Sequence, residues 1–243
     1  MKLLRLKGDL TNMEEFLHVD QILNAEGESQ LGTALKQFEF LGQDEEHLLC
    51  VDNGGNLKRP ADVFRGLDKE GSAVIFKGSF NPPHKGHVAI AEQVEEETGG
   101  RPIFAISVNT RDKEKVDVKN LEERIQYINA LGYEVLICNQ GGFVQNTQTL
   151  RDQHLNADIT YVCGADVVDR FEEDALVNLQ GMNAEVRAVR RPSLTQTDDI
   201  PGLTWLERES MDVSSSAIRN KEEGGLEGLP PQIRALYLQN NTQ

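Results

Sequence analysis

From Gly71 onward, short runs rich in β-branched and aromatic residues alternate with longer stretches of helical periodicity. Alternation of this kind is typical of successive β–α units around a parallel sheet. It predicts strands over 73–76, 103–108, 134–138, 159–163 and 185–189, and helices over 87–97, 120–130, 147–155 and 167–178. The pattern therefore indicates an α/β fold with a doubly wound parallel sheet, whose ligand site lies at the carboxyl ends of the strands.

The first part of the chain differs in pattern and contains no chemical motif. It predicts a helix over 13–23, a second helix over 30–37 and a short apolar run over 47–51. Because a turn and a mixed, polar stretch follow, we predict a boundary near residue 70, between an accessory segment 1–70 and a main domain 71–243. An accessory or oligomerisation module is the simpler interpretation of the first segment, and a second active site is the alternative.

The formal net charge of the chain is -15, with 40 acidic against 25 basic side chains. A protein that binds the phosphates of nucleic acid needs a basic face, so this charge argues against a nucleic-acid partner. A small anionic substrate needs only a few cations in one cleft, and it is compatible with the overall acidity.

The sequence also bears on the compartment of the protein. No stretch reaches the roughly 20 apolar residues of a membrane-spanning helix, and the first residues lack the pattern of a secretory signal peptide. The three cysteines lie far apart without a CxxC pair, which predicts reduced thiols. These features predict a cytoplasmic protein without a membrane partner. A homo-oligomer is compatible with the sequence.

The first predicted strand runs directly into the segment 77–87, KGSFNPPHKGH, which opens the next predicted helix. A strand, a glycine-containing loop and a helix N-terminus in this order form a phosphate cradle, because exposed N–H groups and the helix dipole both attract an anion. Gly78 is expected to let a phosphate approach the backbone, and two prolines restrict the loop. The spacing of three residues places His84 and His87 on one side of the opening turn, so that both can face one ligand.

The histidine pair has two other interpretations, a helix cap and half of a zinc site. The remaining histidines are His18, His47 and His154, and no nearby cysteine or histidine completes a tetrahedral set. Because the strand, the loop and the helix occur together with the histidines, we favour nucleotide binding and assign no metal-ligating residue.

Residues 78–87, GSFNPPHKGH, resemble the first signature of the HxGH nucleotidyltransferase superfamily, and the GSFNP opening is most similar to that of nicotinamide/nicotinate mononucleotide adenylyltransferases. Residues 212–219, DVSSSAIR, resemble the second signature of that family, ISSTxIR, with Val for Ile and Ser for Thr. The resemblance covers residues 72–239. It implies a Rossmann-like sheet of the nucleotidyltransferase type, to which the first 70 residues add a small α+β appendage.

The resemblance implies three catalytic groups: His84 on the triphosphate, His87 at the α-phosphate, and Arg219 on the leaving pyrophosphate. Asp166 lies in a GxD-like triplet and would contact a nucleotide sugar, although a helix N-cap is the alternative. The full set with implied ATP-binding roles comprises Gly78, Ser79, Phe80, Lys85, Gly164, Asp166, Arg191, Ser214, Ser215 and Ser216.

Three further residues are candidates for binding the mononucleotide. Asn109 and Lys113 lie in a loop where the family places polar and basic groups around the acceptor. The alternating charges of this loop are also typical of a solvent-exposed loop without a binding role. Trp205 is our candidate partner for the pyridine ring, with Tyr127 and Phe143 as alternatives.

The resemblance implies transfer of AMP from ATP to nicotinamide or nicotinate mononucleotide, which forms a dinucleotide and releases pyrophosphate. Mg²⁺ is expected on the triphosphate with mostly water ligands. Two alternatives remain open: another adenylyl- or cytidylyltransferase acting on a phosphopantetheine or phosphocholine-like acceptor, and a nucleotide sensor without catalysis. The sequence does not distinguish the amide from the acid form of the mononucleotide.

Overall fold

The computed structural model describes residues 30–40, 47–64, 72–109, 117–172, 174–190, 200–206 and 213–241. The strands are β1 Leu48–Val51, β2 Leu57–Lys58, β3 Ala73–Lys77, β4 Ile103–Ser107, β5 Val135–Cys138, β6 Ile159–Gly164, β7 Ala184–Val189 and β8 Leu203–Leu206. The helices are α1 Gln30–Phe40, α2 Pro60–Phe64, α3 Lys85–Thr98, α4 Val118–Ala130, α5 Phe143–Asp152, α6 Ala165–Val168, α7 Ala175–Gly181, α8 Ser215–Arg219 and α9 Pro231–Asn240. A short 3-10 helix, Gly225–Gly228, precedes α9.

Eight strands form one sheet in the order β2-β1-β5-β4-β3-β6-β7-β8. The strands from β3 to β8 are parallel, β1 is antiparallel to β5, and β2 is antiparallel to β1. The chain therefore steps outward from β3 to β5 and then returns to the other side of β3 to place β6. This order confirms the predicted doubly wound α/β fold and puts its switch point at the carboxyl ends of β3 and β6.

The predicted single helix over 167–178 is wrong, because two short helices, α6 and α7, occupy this part of the chain. After α6 the backbone tightens, and Phe171 N–H donates to the carbonyl of Val168 at 3.1 Å. The Phe171 ring then packs against Phe143 with a distance of 4.9 Å between ring centroids. The contact of this half-buried ring with Phe143 coincides with the break between the two helices.

The N-terminal segment adds to the edge of the same sheet. β1 pairs with β5, and α1 packs against α4. Asn139, which is fully buried, fastens this edge: its Oδ1 accepts a hydrogen bond from His47 N–H at 2.7 Å. Residues 13–23 and the expected boundary near residue 70 lie outside the described residues, so the division into two domains stays a prediction.

Replacing Asn139 with alanine is expected to lower the free energy of unfolding by about 1–3 kcal/mol, because the His47 N–H loses its acceptor. Urea denaturation followed by circular dichroism measures this change. Asn178→Ala, on the exposed face of α7, is the matched control and should stay within about 0.5 kcal/mol of the original chain. Equal unfolding free energies for the two variants would show that Asn139 does not fasten the edge.

The core has two main layers, one on each side of the sheet. Phe76, Phe104 and Ile106 point to one side, where α3 and α4 cover them, and Ile75 and Tyr161 point to the other, where α5 and α7 lie. A third, smaller cluster joins α4, α8 and α9; it comprises Tyr127, Ile218, Leu229, Ile233 and Tyr237. No helix in the described ranges is long and apolar enough to cross a membrane.

All three cysteines are buried. Burial, reinforced by the nearby Asp166 carboxylate, raises the pKa of the Cys163 thiol to about 12. Because thiolate is the reactive form, iodoacetamide at pH 8 is expected to leave the folded chain unmodified and to alkylate all three residues in urea, as mass spectrometry would measure. Alkylation of folded Cys163 at the rate of an unfolded thiol would contradict this prediction.

The same thiol links stability to pH. The folded pKa of Cys163 lies above the ordinary value of 9.0, so in alkali the unfolded chain loses this proton first. Its contribution to stability is therefore complete below pH 9 and declines between pH 9 and about pH 12.

Candidate active site

The loop between β3 and α3 is packed tightly against the sheet. Gly78 N–H donates to the carbonyl of Ala105 at 3.1 Å, and a Cβ on Gly78 would lie 2.6 Å from Cζ of Phe80. Phe80 is 1% exposed and has a φ of 46°. The Gly78 N–H is therefore bonded to the sheet, and the Phe80 ring occupies the space that a side chain at position 78 would need. Glycine at this position allows the Phe80 ring to pack beneath the loop. Strain of this kind is common at functional loops.

The two histidines lie together where the loop enters α3. Their rings are stacked, with 3.6 Å between centroids and an interplanar angle of 23°. His84 N–H donates to Nδ1 of His87 at 3.1 Å. Because Nδ1 accepts, the proton of the neutral His87 ring is assigned to Nε2, which makes Nε2–H the donor of this tautomer. The Phe80 ring supports His87 edge-on at 5.0 Å.

The C-terminal serine-rich turn is bonded directly to this loop. Ser215 Oγ donates to the carbonyl of Pro82 at 2.8 Å, and Arg219 Nη1 donates to the carbonyl of Asn81. Arg219 Nη2 also donates to Ser216 Oγ at 3.2 Å. The two signature segments are more than 130 residues apart in sequence, since the bonded pairs differ by 133 and 138 positions. The fold therefore brings both motifs to one place.

Apolar packing holds α8 in this position. Ile218, next to Arg219, is fully buried in the cluster shared with Tyr127 of α4 and Tyr237 of α9. The 3-10 helix also presses on α8, because a Cβ at Gly225 would lie 2.8 Å from the Ala217 carbonyl oxygen. Ser214 caps α8 by accepting a hydrogen bond from Ala217 N–H at 3.0 Å. The guanidinium of Arg219 is consequently held by a rigid element.

The GxD-like triplet follows β6, which is the direct neighbour of β3. Gly164 caps α6, and Asp166 lies half-buried in its first turn. Both residues thus lie at the switch point, at the carboxyl end of the strand that neighbours β3. Lys85 is the first residue of α3, and Ser79 lies exposed in the loop itself.

The candidates for the mononucleotide are more scattered. Asn109 follows β4, and its N–H donates to the Asn139 carbonyl at 3.1 Å. Trp205 lies on β8, the third strand along from β3, and the Arg190 guanidinium covers its ring at 4.7 Å from the centroid. Lys113 and Arg191 lie outside the described residues.

Two buried cations near this site were not among the residues predicted from the sequence. Arg124 of α4 donates from Nη1 to the carbonyl of Ser79 at 3.1 Å and is 7% exposed. Lys77, at the end of β3, is 6% exposed; its Nζ donates to Asn146 Oδ1 and lies 4.7 Å from the centroid of the Phe143 ring. A signal for Arg124 was available, since the apolar residues around it recur at positions 121, 125 and 128 and place it on the core-facing side of the helix.

The arrangement suits a polyanion better than a bound metal. Within the described ranges, no group of three or more His, Cys, Asp or Glu side chains could hold a metal ion. Cationic and N–H-bearing groups on α3, α4 and α8 instead surround the loop. Such groups stabilise phosphate oxygens.

Comparison with known proteins agrees with this chemistry. A family model described as cytidylyltransferase-like matches residues 75–221. The probable nicotinate-nucleotide adenylyltransferase of Streptococcus pyogenes serotype M3 is 29% identical over 161 residues, which cover 60% of this chain and 74% of that protein. The protein of the same name from Streptococcus mutans serotype c is 27% identical over 157 residues, again covering 60% and 74% of the two chains.

A solved structure supports the fold. Plasmodium falciparum nicotinic acid mononucleotide adenylyltransferase complexed with APC has a TM-score of 0.54 to this chain at 13% sequence identity. The match covers 71% of this chain and 97% of that chain. The two proteins therefore share a fold.

Proposed function

Because the chain belongs to the cytidylyltransferase-like family and is a nucleotidyltransferase, we propose that it transfers AMP from ATP to a pyridine mononucleotide. Nicotinate mononucleotide is the first candidate acceptor, since the relatives from both streptococci carry the name nicotinate-nucleotide adenylyltransferase. The observation that carries the proposal is the direct bonding of the two signature segments, through Ser215 with Pro82 and Arg219 with Asn81.

The proposed reaction is an in-line displacement at the α-phosphorus of ATP. A phosphate oxygen of the mononucleotide forms the new P–O bond, and the bond to the β-phosphate oxygen breaks as pyrophosphate leaves. Negative charge accumulates on the nonbridging oxygens in the transition state, so catalysis relies on positioning and electrostatic stabilisation. The protein needs no covalent intermediate for this chemistry.

The residues of the site divide this work. His87 would donate from Nε2 to an α-phosphate oxygen, and His84 would contact the triphosphate beside it. Arg219 and Ser215 would hold the β- and γ-phosphates that leave as pyrophosphate, with Lys85 as a supplementary cation. Asp166 would accept hydrogen bonds from the sugar hydroxyls at the end of β6.

Mg²⁺ would enter this site as part of the substrate, bound to the triphosphate of ATP. The donor set supports this arrangement, because the described residues offer no carboxylate cluster and the ion commonly keeps several water ligands. The ion would neutralise charge on the triphosphate, and the protein would hold its phosphates through the loop and α8.

A matrix of donors and acceptors tests the proposal. ATP or CTP is incubated with nicotinate mononucleotide, nicotinamide mononucleotide, phosphopantetheine or phosphocholine, and products are separated by chromatography with pyrophosphate measured in parallel. We expect ATP with nicotinate mononucleotide to give the highest kcat/KM and equal amounts of dinucleotide and pyrophosphate. Product from CTP with phosphocholine, or from phosphopantetheine alone, would reassign the acceptor, and no pyrophosphate from any pair would favour a nucleotide sensor.

A further inference from the structure

Arg124 has an N–H donor that finds no acceptor among the described residues. One bond, from Nη1 to the Ser79 carbonyl, connects it to the loop, and its buried Nε has no hydrogen-bond partner in the described part of the chain. A guanidinium carries five N–H donors. An unpaired donor on a 93% buried cation is unfavourable unless a bound group completes it.

A second guanidinium, that of Arg219 on α8, donates a hydrogen bond to the same loop. Arg219 donates to the carbonyl of Asn81, two residues after the Ser79 carbonyl that Arg124 holds. Among the described residues, no carboxylate forms an ion pair with either arginine. Burial, with the nearby charge of Arg219, lowers the pKa of Arg124 to about 10. Two neighbouring cations repel each other, and a bound anion removes that repulsion.

Arg151 shows how the same chain uses a purely structural arginine. Its Nε, Nη1 and Nη2 all donate to backbone carbonyl oxygens, at distances from 2.5 to 3.2 Å. The acceptors belong to Leu155, Ala157, Met182 and Asn183. Each nitrogen of Arg151 is satisfied within the protein, in contrast to Arg124.

We propose that Arg124 is a phosphate-contacting residue, which forms with Arg219 a two-guanidinium site for the polyphosphate chain of the nucleotide. This inference rests on the proposed function, because it specifies how the same site holds its donor substrate. Arg124 belongs to neither signature segment and reaches the loop from α4, whereas Arg219 reaches it from α8. The planar fork of each guanidinium matches pairs of phosphate oxygens.

The binding test uses the full chain and inorganic tripolyphosphate, measured by isothermal titration calorimetry. Arg124→Gln is expected to weaken binding tenfold or more, and Arg124→Lys three- to tenfold, because lysine keeps the charge and loses the fork. Arg151→Lys is the matched control: it should lower the Tm and leave the affinity within twofold of the original chain. Binding within twofold for Arg124→Gln would overturn the proposal and leave Arg124 as a support for the Ser79 carbonyl.

Two further measurements do not depend on Arg124→Gln folding. In the original chain, the Nε–H signal of Arg124, assigned by its loss in Arg124→Lys, should shift in ¹H–¹⁵N spectra when tripolyphosphate is added. An unchanged signal at saturating tripolyphosphate would contradict contact. In steady-state assays Arg124→Lys should raise the KM for ATP and leave the KM for the mononucleotide unchanged, whereas a purely structural change would move both.

The outcomes separate this inference from the proposed function. Tripolyphosphate binding requires no mononucleotide. Binding that depends on Arg124, without adenylylation of any acceptor, would therefore contradict the proposed function and support the two-guanidinium site. Turnover of nicotinate mononucleotide with unaltered tripolyphosphate binding in Arg124→Gln would remove the site and keep the function.

Discussion

His87→Ala is expected to lower kcat for adenylylation by about 10²- to 10³-fold, which corresponds to about 2.7–4 kcal/mol of lost transition-state stabilisation. The physical reason is the fixed tautomer: the His84 N–H donates to Nδ1 of His87, and this bond leaves the ring proton on Nε2 and fixes the orientation of the ring. A preoriented donor stabilises charge that develops on the α-phosphate without reorganising. Pyrophosphate release at saturating ATP and mononucleotide measures this effect.

The control for this prediction is His154→Asn. His154 is exposed and has a φ of 67°, a conformation that asparagine also tolerates, and it lies outside the site. This variant should keep kcat within twofold of the original chain. If His87→Ala has an unchanged Tm and a kcat within threefold of the original value, then His87 does not stabilise the transition state.

The second large effect is expected for Arg219→Ala, which should lower kcat/KM for ATP by about 10²-fold. The alanine variant would lose the proposed contact with the leaving pyrophosphate and also loses the hydrogen bond from α8 to the Asn81 carbonyl. The kcat/KM of Arg219→Lys should lie between those of the original chain and Arg219→Ala, because lysine retains the charge without the fixed geometry of the guanidinium. Initial rates at subsaturating ATP give the comparison.

Arg187→Ala is the matched control for loss of an arginine charge. Arg187 lies on β7 and forms its ion pairs with Glu97 and Glu185, away from the histidine loop. We expect kcat/KM within twofold of the original chain for this variant. An equal fall for Arg187→Ala and Arg219→Ala would mean that general charge, and not contact at the site, governs the rate.

Local pattern was sufficient to predict the centre of the fold. Strand β3 was expected at 73–76 and is Ala73–Lys77, and β6 was expected at 159–163 and is Ile159–Gly164. Both strands are buried along nearly all of their length, so they stand out as continuous apolar runs between helices. The resemblance of the two signature segments predicts that His84, His87 and Arg219 share one site, and the structure bonds Arg219 to the loop that carries both histidines.

Long-range contacts account for what the sequence did not predict. The short run at 47–51 gave no sign that β1 would pair with β5, because pairing depends on residues almost 90 positions away. The break between α6 and α7 follows from packing of Phe171 on Phe143, which no local pattern encodes. The helical periodicity around Arg124 indicates that this residue faces the core, but its acceptor, the Ser79 carbonyl, lies 45 positions away and cannot be predicted from local pattern.

The most direct test is a crystal structure of the chain with a non-hydrolysable ATP analogue and nicotinate mononucleotide. We expect one triphosphate to contact the histidine pair at the start of α3 and the Arg219 guanidinium of α8 at the same time, with its α-phosphate within hydrogen-bond distance of Nε2 of His87. A triphosphate that touches only one of these two elements, or an analogue bound elsewhere on the sheet, would contradict the assignment of this site.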